Sequence, residues 1–252
     1  MQIIVAEDYD ELSRRAAETV AAQIREKPDT VLGLATGGTP LGMYRELRRL
    51  YQEGKLDFSR TRTFNLDEYI GLAADHPESY HFYMWENFFR HVNLPADQTH
   101  IPDGAATDLA AECRRYEEMI QAAGWIDLQI LGIGANGHIG FNEPGTEFGA
   151  VTHVLRLDPR TIKANARFFG SEDLVPRQAI SMGIKTIMKS RRIILLASGT
   201  DKAEAITRTV NGPVTVDMPA SILQLHPNVT LLVDKAAAAL LKLDGGQLTV
   251  NC

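Results

Sequence analysis

Cysteine is scarce in this sequence: Cys113 and Cys252 are the only two, and neither belongs to a CxxC pair. The sequence therefore predicts neither a zinc site nor a disulfide framework. A basic stripe is also missing, and the net charge of -6 argues against DNA or RNA as partners. No apolar run reaches the roughly 18 residues of a membrane span, and the start, MQIIVAEDYDELSRR, lacks the pattern of a signal peptide. We expect a reduced, cytoplasmic protein with neither nucleic-acid nor membrane partners.

Short runs rich in β-branched residues alternate with helical patterns along the chain. Between the first two runs, Leu12, Ala16, Val20 and Ile24 recur every four residues, which is typical of an amphipathic crossover helix. Such alternation predicts an α/β fold with a doubly wound, mostly parallel sheet and helices on both faces. Since no Pro/Gly/Ser-rich linker interrupts the chain, we expect one domain over 1–252. The predicted strands are 2–6, 30–35, 61–66, 127–134, 191–197 and 228–234, and the further predicted helices are 41–53, 79–91, 107–123, 177–189, 201–210 and 235–242.

Ligands of open α/β sheets bind beyond the carboxyl ends of the strands. The first such place is ATGGTPLGMY (35–44), where Thr39 suits a helix N-cap and Pro40 the first helical position. Gly37 and Gly38 allow a tight turn, so this stretch is either an anion cradle or an ordinary capped turn. It is not a nucleoside triphosphate loop, because no Gly-Lys-Ser/Thr follows.

A second small-residue turn, SGTDKAE (198–204), opens another predicted helix and places Lys202 in its first turn. A cation opposes the helix dipole at this end, unless an anion is bound there. Lys202 is therefore either an anion-binding residue or a solvated surface lysine.

A third strand end, TFNLDEYIGL (63–72), carries the acidic pair Asp67 and Glu68. A carboxylate in this place is able to act as a general base. Solvation or capping of a nearby group explains such a pair equally well.

The fourth strand end, GIGANGHIGFNEPG (132–145), begins with the glycine spacing of a dinucleotide-binding fingerprint. That fingerprint needs a helix that starts in the glycine turn, and the residues around Pro144 oppose a helix. The sequence therefore predicts no dinucleotide site, but a flexible loop that presents His138. Asn136 and Glu143 lie close enough in sequence to orient or charge this histidine, as in general acid/base catalysis. A loop histidine bonded to the backbone is the simpler alternative.

Six motifs occur in order between about residues 30 and 230 and together strongly resemble the glucosamine-6-phosphate deaminase family. They are LATGGTPLGMY, FNLDEYIGL, SYHFYMWENFF, LGIGANGHIGFNEPG, NARFF and PASILQLHPN. Members of this family convert glucosamine 6-phosphate and water to fructose 6-phosphate and ammonia, in the breakdown of amino sugars, without a metal or organic cofactor.

The resemblance implies a role for each matched residue. Asp67 would move a proton from C2 to C1, and His138 would open the sugar ring, helped by Glu143 and Asn136. The 6-phosphate would be held by a set of six residues: Thr36, Gly37, Gly38, Thr39, Arg167 and Lys202. The irregular stretch 146–176, which carries Arg167, would form a lid over the site.

Two departures from the family pattern concern charge. Many members have Asp where this chain has Asn136, which is able to hydrogen-bond to His138 but carries no charge. Hexameric, allosterically activated members carry basic residues near the positions of His153 and Leu155, where these charges are missing. We therefore expect an unregulated enzyme, a monomer or a homo-oligomer, without an activator site.

Three alternatives remain at this level. A 6-phosphogluconolactonase or an aldose-ketose isomerase would use a related fold, although lactone hydrolysis needs no C2 base such as Asp67. A non-catalytic sugar-phosphate sensor would need only the phosphate cradle, and would usually carry a helix-turn-helix with a basic surface.

Overall fold

The computed structural model describes residues 1–241, so Lys242 and Cys252 lie outside the described part. Its strands are β1 (Gln2–Ala6), β2 (Val31–Leu34), β3 (Arg62–Asn65), β4 (Asp67–Tyr69), β5 (Thr99–His100), β6 (Leu128–Gly132), β7 (His153–Arg156), β8 (Gln178–Ser181), β9 (Arg192–Ala197) and β10 (Val229–Asp234). Its α-helices are α1 (Tyr9–Glu26), α2 (Leu41–Gln52), α3 (Tyr80–Asn87), α4 (Leu109–Ala122), α5 (Pro159–Phe169), α6 (Ile184–Met188) and α7 (Ala203–Asn211).

Seven strands form a parallel sheet in the order β1-β10-β9-β6-β2-β3-β5. Every residue of β2 and β10 is buried, which requires cover on both faces of the sheet. The amphipathic stripe predicted between the first two strands lies on α1, where Leu12, Ala16 and Val20 are fully buried. The predicted α/β class with a mostly parallel sheet is confirmed.

The chain is wound in two directions from the middle of this sheet. From β2 it proceeds to β3 and β5 on one side, and from β6 to β9 and β10 on the other. The reversal places a crevice between the carboxyl ends of β2 and β6, which is where doubly wound sheets bind ligands.

A second, antiparallel sheet of three strands, β4-β8-β7, lies beside the crevice. It joins a small apolar cluster that is separate from the main core. The cluster consists of Tyr69, Phe141, Leu157, Ile162, Val175 and Ala179. Ile162 comes from α5, so this cluster positions that helix.

All six predicted strands are present to within one or two residues at each end, whereas three other predictions are wrong. The helix predicted over 177–189 is strand β8 followed by the short helix α6, because β8 completes hydrogen bonds between β4 and β7. The helix predicted over 235–242 is a series of turns over 235–240, since Asp234 and Ala6 accept the backbone N–H groups there. The stretch 146–176 is not irregular but contains β7 and α5.

The remaining predicted helices are found with altered ends. The helix predicted over 79–91 ends at Asn87 and continues as a 3-10 turn, Phe89–His91. The one predicted over 201–210 begins with a 3-10 turn, Thr200–Lys202, before α7. Within residues 1–241, every helix is too short or too polar to cross a membrane.

Candidate active site

A cavity of about 450 Å³ occupies the crevice, with α5 along one wall. Nine of the ten predicted site residues line it, and they come from four different strand ends and from α5. These nine are Thr36, Gly37, Gly38, Thr39, Asp67, Asn136, His138, Arg167 and Lys202. The tenth, Glu143, lies behind His138 and is hydrogen-bonded to it. The fold therefore brings together residues that are up to 166 positions apart in the sequence.

The turn after β2 forms part of the cavity wall. Gly37 has a φ of 100°, a left-handed conformation that glycine adopts without strain. Two carbonyl groups of the turn are hydrogen-bonded to tyrosine hydroxyls. Tyr83 Oη donates to Gly37 O at 2.6 Å, and Tyr9 Oη lies 3.0 Å from Gly38 O. Among the described residues, the N–H groups of residues 37–39 have no backbone acceptor. This arrangement is able to hold an anion.

The predicted N-cap at Thr39 is wrong by one position. Helix α2 begins at Leu41, and Pro40 in αR conformation is the cap residue, without a side-chain capping bond. The N–H of Gly42 donates instead to Tyr9 Oη at 2.8 Å. Because a tyrosine from α1 caps the helix, the Thr39 side chain remains available to the cavity that it lines.

Three cationic side chains surround the same end of the cavity. Lys202 is the residue preceding α7, and its Nζ lies 3.0 Å from an Asp201 oxygen. Arg167, exposed on α5, has its guanidinium carbon 4.7 Å from the centre of the Phe168 ring. Arg160, on the first turn of α5, also lines the cavity. Within residues 1–241 neither arginine has a carboxylate partner, so both are available to an anionic ligand.

Asp67 is buried, with 6% of its surface exposed, and no described residue donates a hydrogen bond to its carboxylate. Burial, together with the neighbouring charge of Glu68, raises the pKa of Asp67 to about 8. A carboxyl group with this pKa exchanges protons near neutral pH, as a general base must.

Glu68 has a different, structural role. Its Oε1 accepts the N–H of Tyr80 at 3.0 Å and its Oε2 accepts the N–H of His81 at 3.0 Å. Glu68 thus satisfies free N–H groups at the start of α3, where a carboxylate is favoured by the helix dipole. The acidic pair of the sequence consists of one cavity residue and one capping residue.

His138, Glu143 and Asn136 form a hydrogen-bonded group beside Asp67. The Nδ1 atom of His138 lies 3.1 Å from Glu143 Oε2, and the same oxygen accepts Asn136 Nδ2 at 2.7 Å. Burial raises the pKa of Glu143, but hydrogen bonds and charge from His138, with hydrogen bonds from Thr161 and Asn136, outweigh it and lower the pKa overall. Glu143 is therefore an anion that lies within hydrogen-bonding distance of the imidazole and is able to orient it.

Asn136 acts on His138 indirectly. Its Oδ1 accepts the backbone N–H of His138 at 3.2 Å, whereas its amide nitrogen is directed to Glu143. The expected help in orienting the histidine comes through the backbone and through Glu143, and no contact with the imidazole ring is found among the described residues.

Two glycines of this loop leave room for the side chains of neighbouring site residues. A Cβ atom on Gly134 would lie 2.4 Å from the His138 ring, so only glycine allows the ring to pack against the backbone there. Within the described residues no helix begins between 133 and 152, which confirms that this loop lacks the helix of a dinucleotide fingerprint. Gly140 lies close to Asp67, since a Cβ there would be 3.4 Å from Asp67 Oδ2.

Several cavity residues were not predicted as site residues, among them Tyr80, Arg160, Thr161 and Asn165. The last three lie on α5, at the spacing of one helix face. The only sequence signal was that spacing in RTIKANARFF, which is recognisable once this segment is known to be a helix.

Comparisons with known proteins agree with this site. Residues 6–232 match the family described as glucosamine-6-phosphate isomerases/6-phosphogluconolactonase. The chain is 58% identical to a protein of Thermoanaerobacter pseudethanolicus named glucosamine-6-phosphate deaminase, over 96% of this chain and 95% of the relative.

Solved structures resemble the whole fold. The structure of a monomeric glucosamine-6-phosphate deaminase is 54% identical and superposes with a TM-score of 0.94, covering 95% of this chain and 100% of that one. A 6-phosphogluconolactonase from Trypanosoma brucei shares the fold with a TM-score of 0.76, at 22% identity over 96% of this chain and 98% of that one. The sequence match, the fold and the contents of the cavity lead to one conclusion: the chain belongs to the family of glucosamine-6-phosphate isomerases and 6-phosphogluconolactonases.

Proposed function

We propose that this protein is a glucosamine-6-phosphate deaminase, which converts D-glucosamine 6-phosphate and water to D-fructose 6-phosphate and ammonia. Its place is the breakdown of amino sugars in the cytoplasm, a compartment that suits the free, buried thiol of Cys113. The names of its relatives support this reaction, and the cavity contains groups suited to each step.

The phosphate end of the cavity is the turn at 36–39 together with Lys202 and Arg167. The turn supplies N–H groups, and the two side chains supply positive charge. A guanidinium binds two phosphate oxygens at once, which also sets the direction of the sugar. In the proposed complex, C1 and C2 of the sugar would face Asp67 and His138.

Ring opening is the first chemical step, because glucosamine 6-phosphate is mainly cyclic. His138 takes the proton of the anomeric hydroxyl and returns a proton to the ring oxygen, which breaks the bond between C1 and that oxygen. Glu143 stabilises the imidazolium that forms in between, from a distance of 3.1 Å. The product is the open-chain aldehyde.

Asp67 carries out the second step. Its carboxylate takes the proton from C2 while the C1 oxygen gains a proton that the substrate's ammonium group gives up, which forms an enolamine. Delivery of the first proton to C1 then leaves an iminium at C2. Water then adds to C2, and ammonia leaves to give the ketose. Because no described residue donates a hydrogen bond to the Asp67 carboxylate, no hydrogen bond has to break when it transfers the proton.

The observation that carries this proposal is the buried carboxyl group of Asp67, to which no described residue donates a hydrogen bond, beside the hydrogen-bonded pair of His138 and Glu143. Lactone hydrolysis requires an activated water but no proton transfer between neighbouring carbons. The cavity therefore favours the deaminase over the lactonase with which it shares a fold.

Purified protein incubated with glucosamine 6-phosphate should release ammonia and fructose 6-phosphate in equal amounts. A parallel incubation with 6-phosphogluconolactone should not exceed spontaneous hydrolysis. Folded protein that gives no ammonia, or that hydrolyses the lactone instead, contradicts the proposal.

We also propose that the enzyme is a monomer without an activator site, and that residues 146–176 act as a lid. The solved deaminase that is 54% identical is a monomer, and the basic residues of activated family members are missing at His153 and Leu155.

A further inference from the structure

Two side chains of helix α5 that line the cavity form hydrogen bonds with different parts of the chain. The hydroxyl of Thr161 donates to Glu143 Oε1 at 2.6 Å, and the amide of Asn165 donates to the Tyr69 hydroxyl at 2.8 Å. The two residues are four positions apart, so they lie one above the other on a single face of the helix. Through these contacts α5 touches both the histidine pair and the sheet that carries Asp67.

The two oxygens of Glu143 are held by different parts of the chain. Oε2 is bound by Asn136 and His138, which belong to the same loop as Glu143 itself. Oε1 receives one hydrogen bond among the described residues, and it comes from Thr161. Both side chains are buried, with 6% of Thr161 and 8% of Glu143 exposed, so water does not readily replace this donor.

The orientation of a carboxylate depends on having both oxygens bound. Its terminal torsion has a broad energy minimum, so a carboxylate bound through one oxygen rotates within a wide range. Binding the second oxygen fixes its plane, and through Oε2 also the direction of the His138 ring. A displacement of about 1 Å in an acid/base group costs on the order of 100-fold in rate.

We propose that Thr161 is a positioning residue for ring opening: docking of α5 binds Glu143 Oε1 and thereby aligns His138 only when the helix covers the sugar. This inference rests on the proposed deaminase function. In this proposal, the pair of His138 and Glu143 becomes aligned for catalysis when the cavity closes. His138 is therefore aligned only after the substrate has been enclosed.

Thr161→Val tests this role, because valine has nearly the same shape and lacks the hydroxyl. We expect kcat for glucosamine 6-phosphate to fall about 10- to 100-fold, with KM within about 3-fold of the wild type. Thr161→Ser keeps the hydroxyl and should recover most of the lost kcat. If the valine variant does not fold, Thr161→Ala, which adds no bulk, takes its place in the comparison with serine.

Thr186→Val is the matched control, since Thr186 is a buried threonine whose hydroxyl lies 2.9 Å from both oxygens of buried Glu117, away from the cavity. Its kcat and KM should equal those of the wild type, and thermal unfolding reports the structural cost of both substitutions. A Thr161→Val enzyme with kcat within about 2-fold of wild type, a serine variant as slow as the valine variant, or an equal loss in Thr186→Val overturns the role of Thr161. Wild-type protein that fails to turn over glucosamine 6-phosphate in the same assay overturns the proposed function itself.

Discussion

At the scale of the residue, Asp67 connects catalysis with stability. Its pKa of about 8 lies well above the value of about 3.9 in an unfolded chain, so the folded protein binds this proton more tightly. Ionisation of Asp67 therefore destabilises the fold, by an amount that grows from about pH 4 and is complete above about pH 8. Such a destabilised carboxylate at the reaction centre is typical of functional sites.

Asp67→Asn should abolish exchange of the C2 hydrogen with solvent deuterium, because the amide accepts no proton. The same variant should unfold at a higher temperature than the wild type, and this difference should widen between about pH 4 and pH 8, by several degrees in all. Proton NMR of the sugar measures the exchange, and calorimetry at a series of pH values measures the unfolding temperature.

Asp127→Asn is the control for the stability measurement. Asp127 is buried but lies at the start of β6, where the Lys27 ammonium 2.7 Å away helps to lower its pKa against the effect of burial. Its ionised form stabilises the fold above about pH 4, and this contribution is lost as the pH falls, so the asparagine variant should be less stable than wild type at neutral pH. Retained C2 exchange in Asp67→Asn, or the same sign of change in both variants, would refute this account of Asp67.

Arg167→Ala should raise KM for glucosamine 6-phosphate by about 10-fold or more, because it removes a cation that is free to bind the phosphate. The effect on kcat should be smaller, since the reacting carbons lie at the other end of the cavity. Steady-state kinetics measures both constants. Lys163→Ala is the control, because Lys163 is also exposed on α5 but does not line the cavity, and it should leave KM unchanged. If KM is also unchanged in Arg167→Ala, Arg167 does not belong to the phosphate site.

At the scale of the element, the lid and the parallel sheet differ in how they are held. Helix α5 is anchored through Ile162 to the small second cluster, with Ala166 and Phe169 packed against that cluster. Strands β6 and β9, in contrast, lie within the main core. Elements with few buried apolar contacts open most easily, so α5 belongs to the less stable part of the molecule.

Backbone amides of α5 should therefore exchange with deuterium faster than those of β9, and fructose 6-phosphate should slow the exchange in α5 through the contacts of Arg167 and Thr161. Hydrogen-exchange mass spectrometry with and without the sugar phosphate measures this. Helix α1, packed on the main core, is the internal reference and should not respond. Exchange in α5 as slow as in β9, and unaffected by the ligand, would contradict a mobile lid.

How far the elements were predictable from sequence depends on the range of the interactions that form them. Six of the seven strands in the parallel sheet are continuous β-branched runs and are found where they were predicted, whereas the two-residue strand β5 was not predicted. Strand β8 was mistaken for part of a helix because it exists by pairing with β4 and β7, which lie about 110 and 25 residues away. Among the site residues, Asp67 and His138 follow strand ends, whereas Thr161 and Asn165 were missed because their positions depend on how α5 packs.

At the scale of the whole molecule, the surroundings of His153 support the proposal that this protein has no activator site. A second cavity of about 720 Å³ lies between α4 and β7 and includes His153 in its wall. Glu117 and Glu118 also line it, against a single arginine, Arg114. The thiol of Cys113 and several apolar side chains complete the wall. A phosphate dianion would meet more negative than positive charge at this place.

We therefore expect hyperbolic kinetics and a particle of about the chain mass, 27.8 kDa, in light scattering. Addition of N-acetylglucosamine 6-phosphate should not raise the reaction rate at any substrate concentration, because an effector acts only through a site that prefers one conformation of the enzyme. This compound is still able to compete with the substrate at the active site, because the residues proposed to bind the phosphate do not recognise the amino group. Weak inhibition therefore agrees with the proposal. Sigmoidal kinetics that become hyperbolic with the effector, or a hexamer in light scattering, would show that regulation persists by contacts other than the missing basic residues. A hyperbolic monomer that does not respond to the effector would agree with the proposed unregulated enzyme, in which the substrate alone determines the rate.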